Sequence, residues 1–331
     1  MKSFYTLGMF LLIICSVLLG CTHFVTIDEE ADKVKIGVLL ADDGLGDHSF
    51  NDTAFIGLMK ARDELGIEFD YRDLTLASSF KDGLQQLIEE DFDLIIGLGY
   101  TMQEDFMAIA TENPEQLFMY IDEEIHLPNV TSVTFNEYEG SFLAGVVAGF
   151  KTETNSIGFI GGMQAPVIER FKNGFVDGVK SINPDARVTV TYANSFSAPD
   201  IGSEIVSNLV KNENVDIVFP AAGYTGLGAL EQAVQSEIYA IGVDSDQFYL
   251  AEKAVITSML KNVDVAIYTA VEELVETGTL ASQHMELGLL EDGVELSQVR
   301  LLSLTEQEEE QLEKIKKRLM IQSQAAIELE E

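Results

Sequence analysis

The chain has 331 residues, 47% hydrophobic and 23% charged, a globular composition with enough length for two buried cores. Fifty-six Asp and Glu against 20 Lys and Arg give a formal net charge of −36. That excludes general attraction to nucleic acid or to anionic lipid headgroups, and two cysteines exclude a disulfide framework. The densest basic stretch, Lys314-Ile315-Lys316-Lys317-Arg318, follows Glu308-Glu309-Glu310 and reads as a solvated helix face.

Residues 1–20 have the pattern of a secretory signal: Lys2 near the start, then an apolar core from Leu7 to Leu19. Those 13 or so residues are shorter than the roughly 20 needed to span a bilayer. No small-residue cleavage site follows; Leu18-Leu19-Gly20-Cys21 instead resembles the lipobox of bacterial lipoproteins. The resemblance implies that the thiol of Cys21 is acylated and becomes the new N-terminus, so that a lipid anchors the protein to the outer face of the cell membrane. Cys15 lies in the discarded segment, and residues 21–33 form a polar tether.

From Val34 onward short apolar runs alternate with segments of helical period. The runs are 34–40, 94–96, 117–121, 157–160, 188–192, 217–219 and 238–243; helical segments include 53–65, 139–150, 167–181, 202–211, 227–235 and 262–276. Most runs are apolar on consecutive residues, as expected of strands buried on both faces of a parallel sheet. The fold class is therefore α/β, with two doubly wound lobes. The first lobe is expected to span 34–134, with a return over about 262–304, and the second 135–261. The tail, 305–331, reads as a helix with a polar end. No Pro/Ser-rich linker divides the halves, so short hinge segments are expected.

In open parallel sheets, ligands sit at the loops after the carboxyl ends of strands. Those loops are Asp42 to Asp52, Gly97 to Thr101, Asp122 to Glu124, Gly161 to Met163, Asn194 to Phe196, Ala222 to Gly228 and Asp244 to Gln247. The Gly223-Tyr224-Thr225-Gly226-Leu227-Gly228 loop lacks the Lys-Ser/Thr of a P-loop and the dinucleotide-binding spacing, and a tight strand-to-helix turn explains its glycines as well. The four histidines are not at metal-ligand spacing, and no Gly-x-Ser-x-Gly elbow is present. No catalytic residue, metal site or cofactor is therefore expected. Carboxylates, amides and aromatics remain in these loops, without an arginine. That set suits a neutral, ring-bearing, hydroxyl-rich ligand, with rings to stack on a planar group and carboxylates to accept from hydroxyls.

The first loop, Asp47-His48-Ser49-Phe50-Asn51-Asp52 with Phe55 and Gly57-Leu58, resembles the signature of the basic membrane protein family of substrate-binding lipoproteins. The likeness continues in order through Asn129 to Val133, Glu139 to Gly145, Gly158 to Gly162, Phe171 with Asn173-Gly174-Phe175, Ala221 to Gly228, Gly242 to Gln247 and Thr257 to Asn262. His48 stands where the family commonly has lysine, and Phe55 where it often has tryptophan. The resemblance implies the type I periplasmic-binding-protein fold and a purine nucleoside held between two lobes for an ABC importer. By position it implies that Phe50 stacks on the base and Asn51 bonds its edge. Asp42 or Asp43 is the acid ahead of the motif, and Asp122 ends its strand as the family's aspartate does. Phe196 is the second stacking aromatic, although Ser195 to Pro199 lacks the Asp and Lys that follow it in the family. Gly223 offers backbone, while Asp244 and Lys261 hold the ribose hydroxyls. Taken as ordinary structure, Phe50 is a hydrophobic staple and Lys261 a helix-start lysine. The implied partners are a nucleoside, a permease and an ATPase subunit, with no nucleic acid and a monomeric receptor. The alternative is a regulatory lipoprotein of the same fold.

Overall fold

The computed structural model describes residues 33–330; the expected signal peptide, Cys21 and nearly all of the tether lie outside them. From Val34 onward the chain builds two six-stranded sheets. The first comprises β1 (Lys35–Leu39), β2 (Glu68–Arg72), β3 (Leu94–Leu98), β4 (Leu117–Ile121), β5 (Val130–Phe135) and β11 (His284–Leu287), in the order β11-β5-β4-β3-β1-β2. All its pairings are parallel. The second comprises β6 (Ser156–Gly161), β7 (Arg187–Tyr192), β8 (Ile217–Ala221), β9 (Tyr239–Asp244), β10 (Val255–Lys261) and β12 (Val294–Leu296), in the order β12-β10-β9-β8-β6-β7. Its members are parallel except β12, which runs antiparallel to β10.

Most of the consecutive apolar runs are central strands, and β3, β6 and β8 are buried at every residue. The edge strands β2 and β7 are only half-buried, since one side of each faces solvent. Helices cover both faces. In chain order they are α1 (Phe50–Leu65), α2 (Phe80–Glu89), α3 (Gln103–Glu112), α4 (Glu137–Lys151), α5 (Pro166–Ile182), α6 (Pro199–Glu213), α7 (Tyr224–Gln235), α8 (Val263–Thr277) and α9 (Glu306–Glu330). None of the described helices is long and apolar enough to cross a membrane.

The chain crosses between lobes from β5 to α4, from β10 to α8 and from β11 to β12. The return to the first lobe is shorter than the sequence pattern implied. Helix α8 packs on α1 and β11 joins β5, but 294–304 runs along the second lobe. There β12 pairs with β10, Ser297 N donates to Ser258 O at 2.9 Å, and Arg300 N to Ile256 O at 2.6 Å. Val294 is 1% exposed, and β10 would otherwise leave an unpaired edge. Helices α4 and α5 touch backbone to backbone, because a Cβ at Gly145 would fall 2.2 Å from Phe175 O and one at Gly178 2.0 Å from Phe142 O. Helix α9 lies on α4, burying Ile315 and Leu319. Buried Glu139 ties it to the crossover, accepting from Leu289 N at 2.9 Å and from Ser323 Oγ.

Candidate functional site

Each sheet has one place where the strand order reverses: between β1 and β3 in the first, and between β6 and β8 in the second. The loops leaving the carboxyl ends of such neighbours run to opposite faces and open a crevice. The two crevices face each other across a cavity of about 610 Å³, counting the open space at its mouth. All nine ligand-contact residues nominated from the sequence line it: Asp42, Asp43, Phe50, Asn51, Asp122, Phe196, Gly223, Asp244 and Lys261.

The first loop owes its shape to short-range hydrogen bonds. Gly44 N donates to Ala41 O at 3.0 Å, a tight turn whose left-handed Gly44 (φ 64°) suits a residue without a Cβ. Asp42 and Asp43 occupy its two corners. Asp47 receives the amides of Ser49, Asn51 and Asp52 at 2.9, 2.8 and 3.1 Å. Asp52 in turn receives those of Gly46 and His48 at 2.8 and 3.0 Å. Asp47 thus satisfies orphan donors in the first turn of α1, and Asp52 reaches back to amides of the loop ahead of it. Asn51 is committed inside the loop: Oδ1 accepts from Ala41 N at 2.9 Å and Nδ2 donates to Asp47 Oδ2 at 3.0 Å. With those side chains engaged, Phe50 is the member of the motif whose ring is left to line the cavity.

Lys261 ends β10 at the floor of the cavity, 2% exposed. Its Nζ is 2.5 Å from Asp122 Oδ1 and 3.0 Å from Glu137 Oε1, the second being an ion pair without hydrogen-bond alignment. Rings of Phe50, Phe135 and Phe171 surround it, with centroids 5.1, 5.0 and 5.8 Å from Nζ, within cation–π reach. Burial alone would depress this ammonium, but Asp122, Glu137 and Asp244 outweigh it and keep the charge on. Arg170 of α5 closes the network, donating from Nε to Glu137 Oε2 at 2.7 Å and from Nη2 to Asp122 O at 3.0 Å.

Asp244 ends β9 in the left-handed region (φ 64°). Burial pushes its carboxyl up to about 6, against the pull of Lys261 and the hydrogen bond from Ser49 Oγ. Asp42 and Asp43 are also raised by burial; Thr101 donates to Asp42, and Ser197 and Tyr224 to Asp43. The cavity therefore presents acceptors among its apolar walls, and among the described residues its one lining cation is already held by carboxylates.

Sequence reasoning left out Phe171, Glu137 and Arg170. Phe171 lines the cavity, yet within α5 it has the spacing of an ordinary core residue. Glu137 and Arg170 sit on helices, outside the strand-end loops. Among the described residues, no group of three or more His, Cys, Asp or Glu side chains is placed to hold a metal ion.

Residues 33–327 match the family model of PnrA-like ABC transporter substrate-binding proteins. The chain is 32% identical over 325 residues to a CD4+ T-cell-stimulating antigen of Listeria monocytogenes, covering 90% of this chain and 91% of the relative. It is 34% identical over 253 residues to the ABC transporter nucleoside-binding protein BmpA of Lactococcus lactis, covering 72% of each. A solute-binding protein of an ABC transporter system from Aeropyrum pernix superposes with a TM-score of 0.79 at 25% identity, covering 88% of this chain and 92% of that one. A family model spanning nearly the whole described chain, two facing switch-point crevices and an acceptor-lined cavity agree: this protein belongs to the family of PnrA-like ABC transporter substrate-binding proteins.

Proposed function

We propose that this protein is the extracytoplasmic receptor of an ABC importer and encloses one purine nucleoside between its lobes. The observation that carries the reading is the cavity, where aromatic rings stand among carboxylates and, among the described residues, the lining lysine is taken up by Asp122 and Glu137. A planar base offers a face to Phe50 and Phe196, and ribose hydroxyls offer donors to Asp244. Asp42 takes the N–H groups of the base edge, and Gly223 contributes backbone. Asn51 acts mainly by fixing the loop that carries Phe50, since both ends of its amide are engaged. A phosphate would face Asp42, Asp43, Asp122 and Asp244, so a nucleoside is favoured over a nucleotide. Supporting this, a relative at 34% identity is itself a nucleoside-binding protein.

Calorimetric titration with nucleosides, free bases, ribose and a nucleoside monophosphate tests the reading. Phe50→Ala is expected to lower affinity for both nucleoside and free base by at least about fivefold, because base–aromatic stacking contributes about 1–3 kcal/mol. Wild-type binding of ribose or of the monophosphate in preference to the nucleoside would overturn it.

The same reading puts the receptor on the membrane through a lipid on Cys21, delivering ligand as a monomer to a permease and its ATPase. The observation behind the anchor is the Leu18-Leu19-Gly20-Cys21 run after an apolar segment too short to span a bilayer. Cys21→Ser is expected to abolish metabolic labelling with a fatty acid and release the protein from the membrane fraction, with ligand affinity unchanged. A label that persists on the variant would refute the anchor.

A further inference from the structure

Adjacent in sequence and on one turn, Asp42 and Asp43 face different partners. Asp42 accepts from Thr101 of its own lobe. Asp43 reaches over the cleft to the second lobe: Oδ1 accepts from Ser197 Oγ, and Oδ2 from Tyr224 N at 3.2 Å. Tyr224 opens α7, whose N-cap is Gly223 and whose first turn holds no acidic residue. Within its own lobe the start of this 12-residue helix has no side-chain cap, Thr225 N donating to the carbonyl of Phe196 at 2.6 Å, and its Tyr224 N–H receives a carboxylate from the other lobe. Gly223 makes the approach possible, with φ 55° and a position where a Cβ would stand 2.9 Å from Asp43 Oδ2. The same first-lobe loop has a second grip, since His48 O accepts from Ser245 Oγ at 2.8 Å and Gln247 Nε2 at 3.1 Å. Ser49 Oγ donates to Asp244 as well.

We propose that Asp43 is a positioning residue that sets the closing equilibrium, its carboxylate accepting from the first N–H of α7 in the opposite lobe when the lobes meet and giving up that bond when they part. An N-cap carboxylate satisfies an orphan donor and complements the positive end of the helix, and here that stabilisation is available only to the closed form. Asp43 thereby slows ligand escape through its contact with the opposite lobe. The consequence for ligand escape rests on the receptor reading above; the capping contact does not.

Hydrogen exchange of the full-length protein, with no ligand added, tests this separately. In Asp43→Ala, amides of 223–226 in the second lobe and 46–51 in the first are expected to exchange faster together, by roughly fivefold to tenfold, the size of a lost cap. Asp43→Asn, an equally good N-cap, is expected to retain most of the protection, and Ser197→Ala to lose part of it in the same two segments. Faster exchange confined to Tyr224 would make Asp43 a local cap only and overturn the proposal, as would no change in either segment. If exchange behaves as expected while nucleosides fail to bind, the latch stands and the receptor reading falls.

Discussion

Lys261→Met is expected to lower the free energy of unfolding at pH 7 by about 3–5 kcal/mol, the usual cost of removing one partner from a buried ionic cluster. Methionine keeps an unbranched stem among Phe50, Phe135 and Phe171, so little of the loss comes from packing. What changes is charge. Asp122 and Glu137 lose an ammonium 2.5 and 3.0 Å away, and Asp244 loses its attraction. Arg170 remains with Glu137 and with the Asp122 carbonyl, so the carboxyls of Asp122 and Asp244 carry the damage. Protonation relieves the Asp244 carboxyl, which burial raises, so the deficit is expected to shrink as pH falls from 7 towards 5. Urea unfolding at both pH values measures it. A deficit below about 1 kcal/mol at pH 7 would mean that the cluster is solvated.

Asp244→Asn is expected to act in the opposite direction on stability while impairing binding. The Asp244 carboxyl, ordinarily at 3.8, is pushed up to about 6 by burial. A group raised in the folded state holds its proton there more tightly. Its contribution is full below about 3.8 and is lost as pH rises through about 6. At pH 7 the ionised side chain therefore costs up to about 3 kcal/mol relative to a neutral one. Asparagine removes that cost and still accepts from Ser49 Oγ. Lys261 keeps Asp122 and Glu137. The variant is expected to be more stable at pH 7, with a flatter stability profile between pH 4 and 6, a case of stability given up for function. Nucleoside affinity should drop at least about tenfold, because a hydrogen bond to a charged acceptor contributes roughly 1.5–3 kcal/mol. Hydroxyls donating to Asp244 favour its ionised form. Wild-type affinity should therefore weaken as pH is lowered through about 6, and the variant should lose this dependence. Parallel pH profiles for the two proteins would remove Asp244 from the ligand.

The strands most legible in the sequence were those buried on both faces, because consecutive apolar residues are the signature of a central parallel strand. Residues 94–98, 156–161 and 217–221 are of this kind. Strand β2 escaped notice because Glu68-Phe69-Asp70-Tyr71-Arg72 lies at an edge and is half-exposed, leaving no apolar run; the buried strands β5 and β10 escaped as well, their apolar residues being interrupted by Thr131-Ser132 and Thr257-Ser258. The loops that line the cavity were legible for a topological reason: in a wound parallel sheet the carboxyl ends of the strands lie on one side, so finding the strands locates the loops.

By itself the sequence determined the winding, the strand-end loops and the aromatic and acidic residues they carry, since hydrophobic periodicity and turn chemistry act within a few residues of chain. Only the tertiary structure decided the rest, because it depends on approaches between residues far apart in sequence. Lys261 meets Asp122 and Glu137 more than a hundred positions away. Phe171 lines the cavity as well as packing in the core, because α5 stands beside the crevice. Residues 294–296 join the second sheet because β10 offers them an open edge. Asp42 and Asp43 are equivalent in composition and nearly so in position. Only the approach of α7 to the turn at Gly44 sends one carboxylate to its own lobe and the other across the cleft.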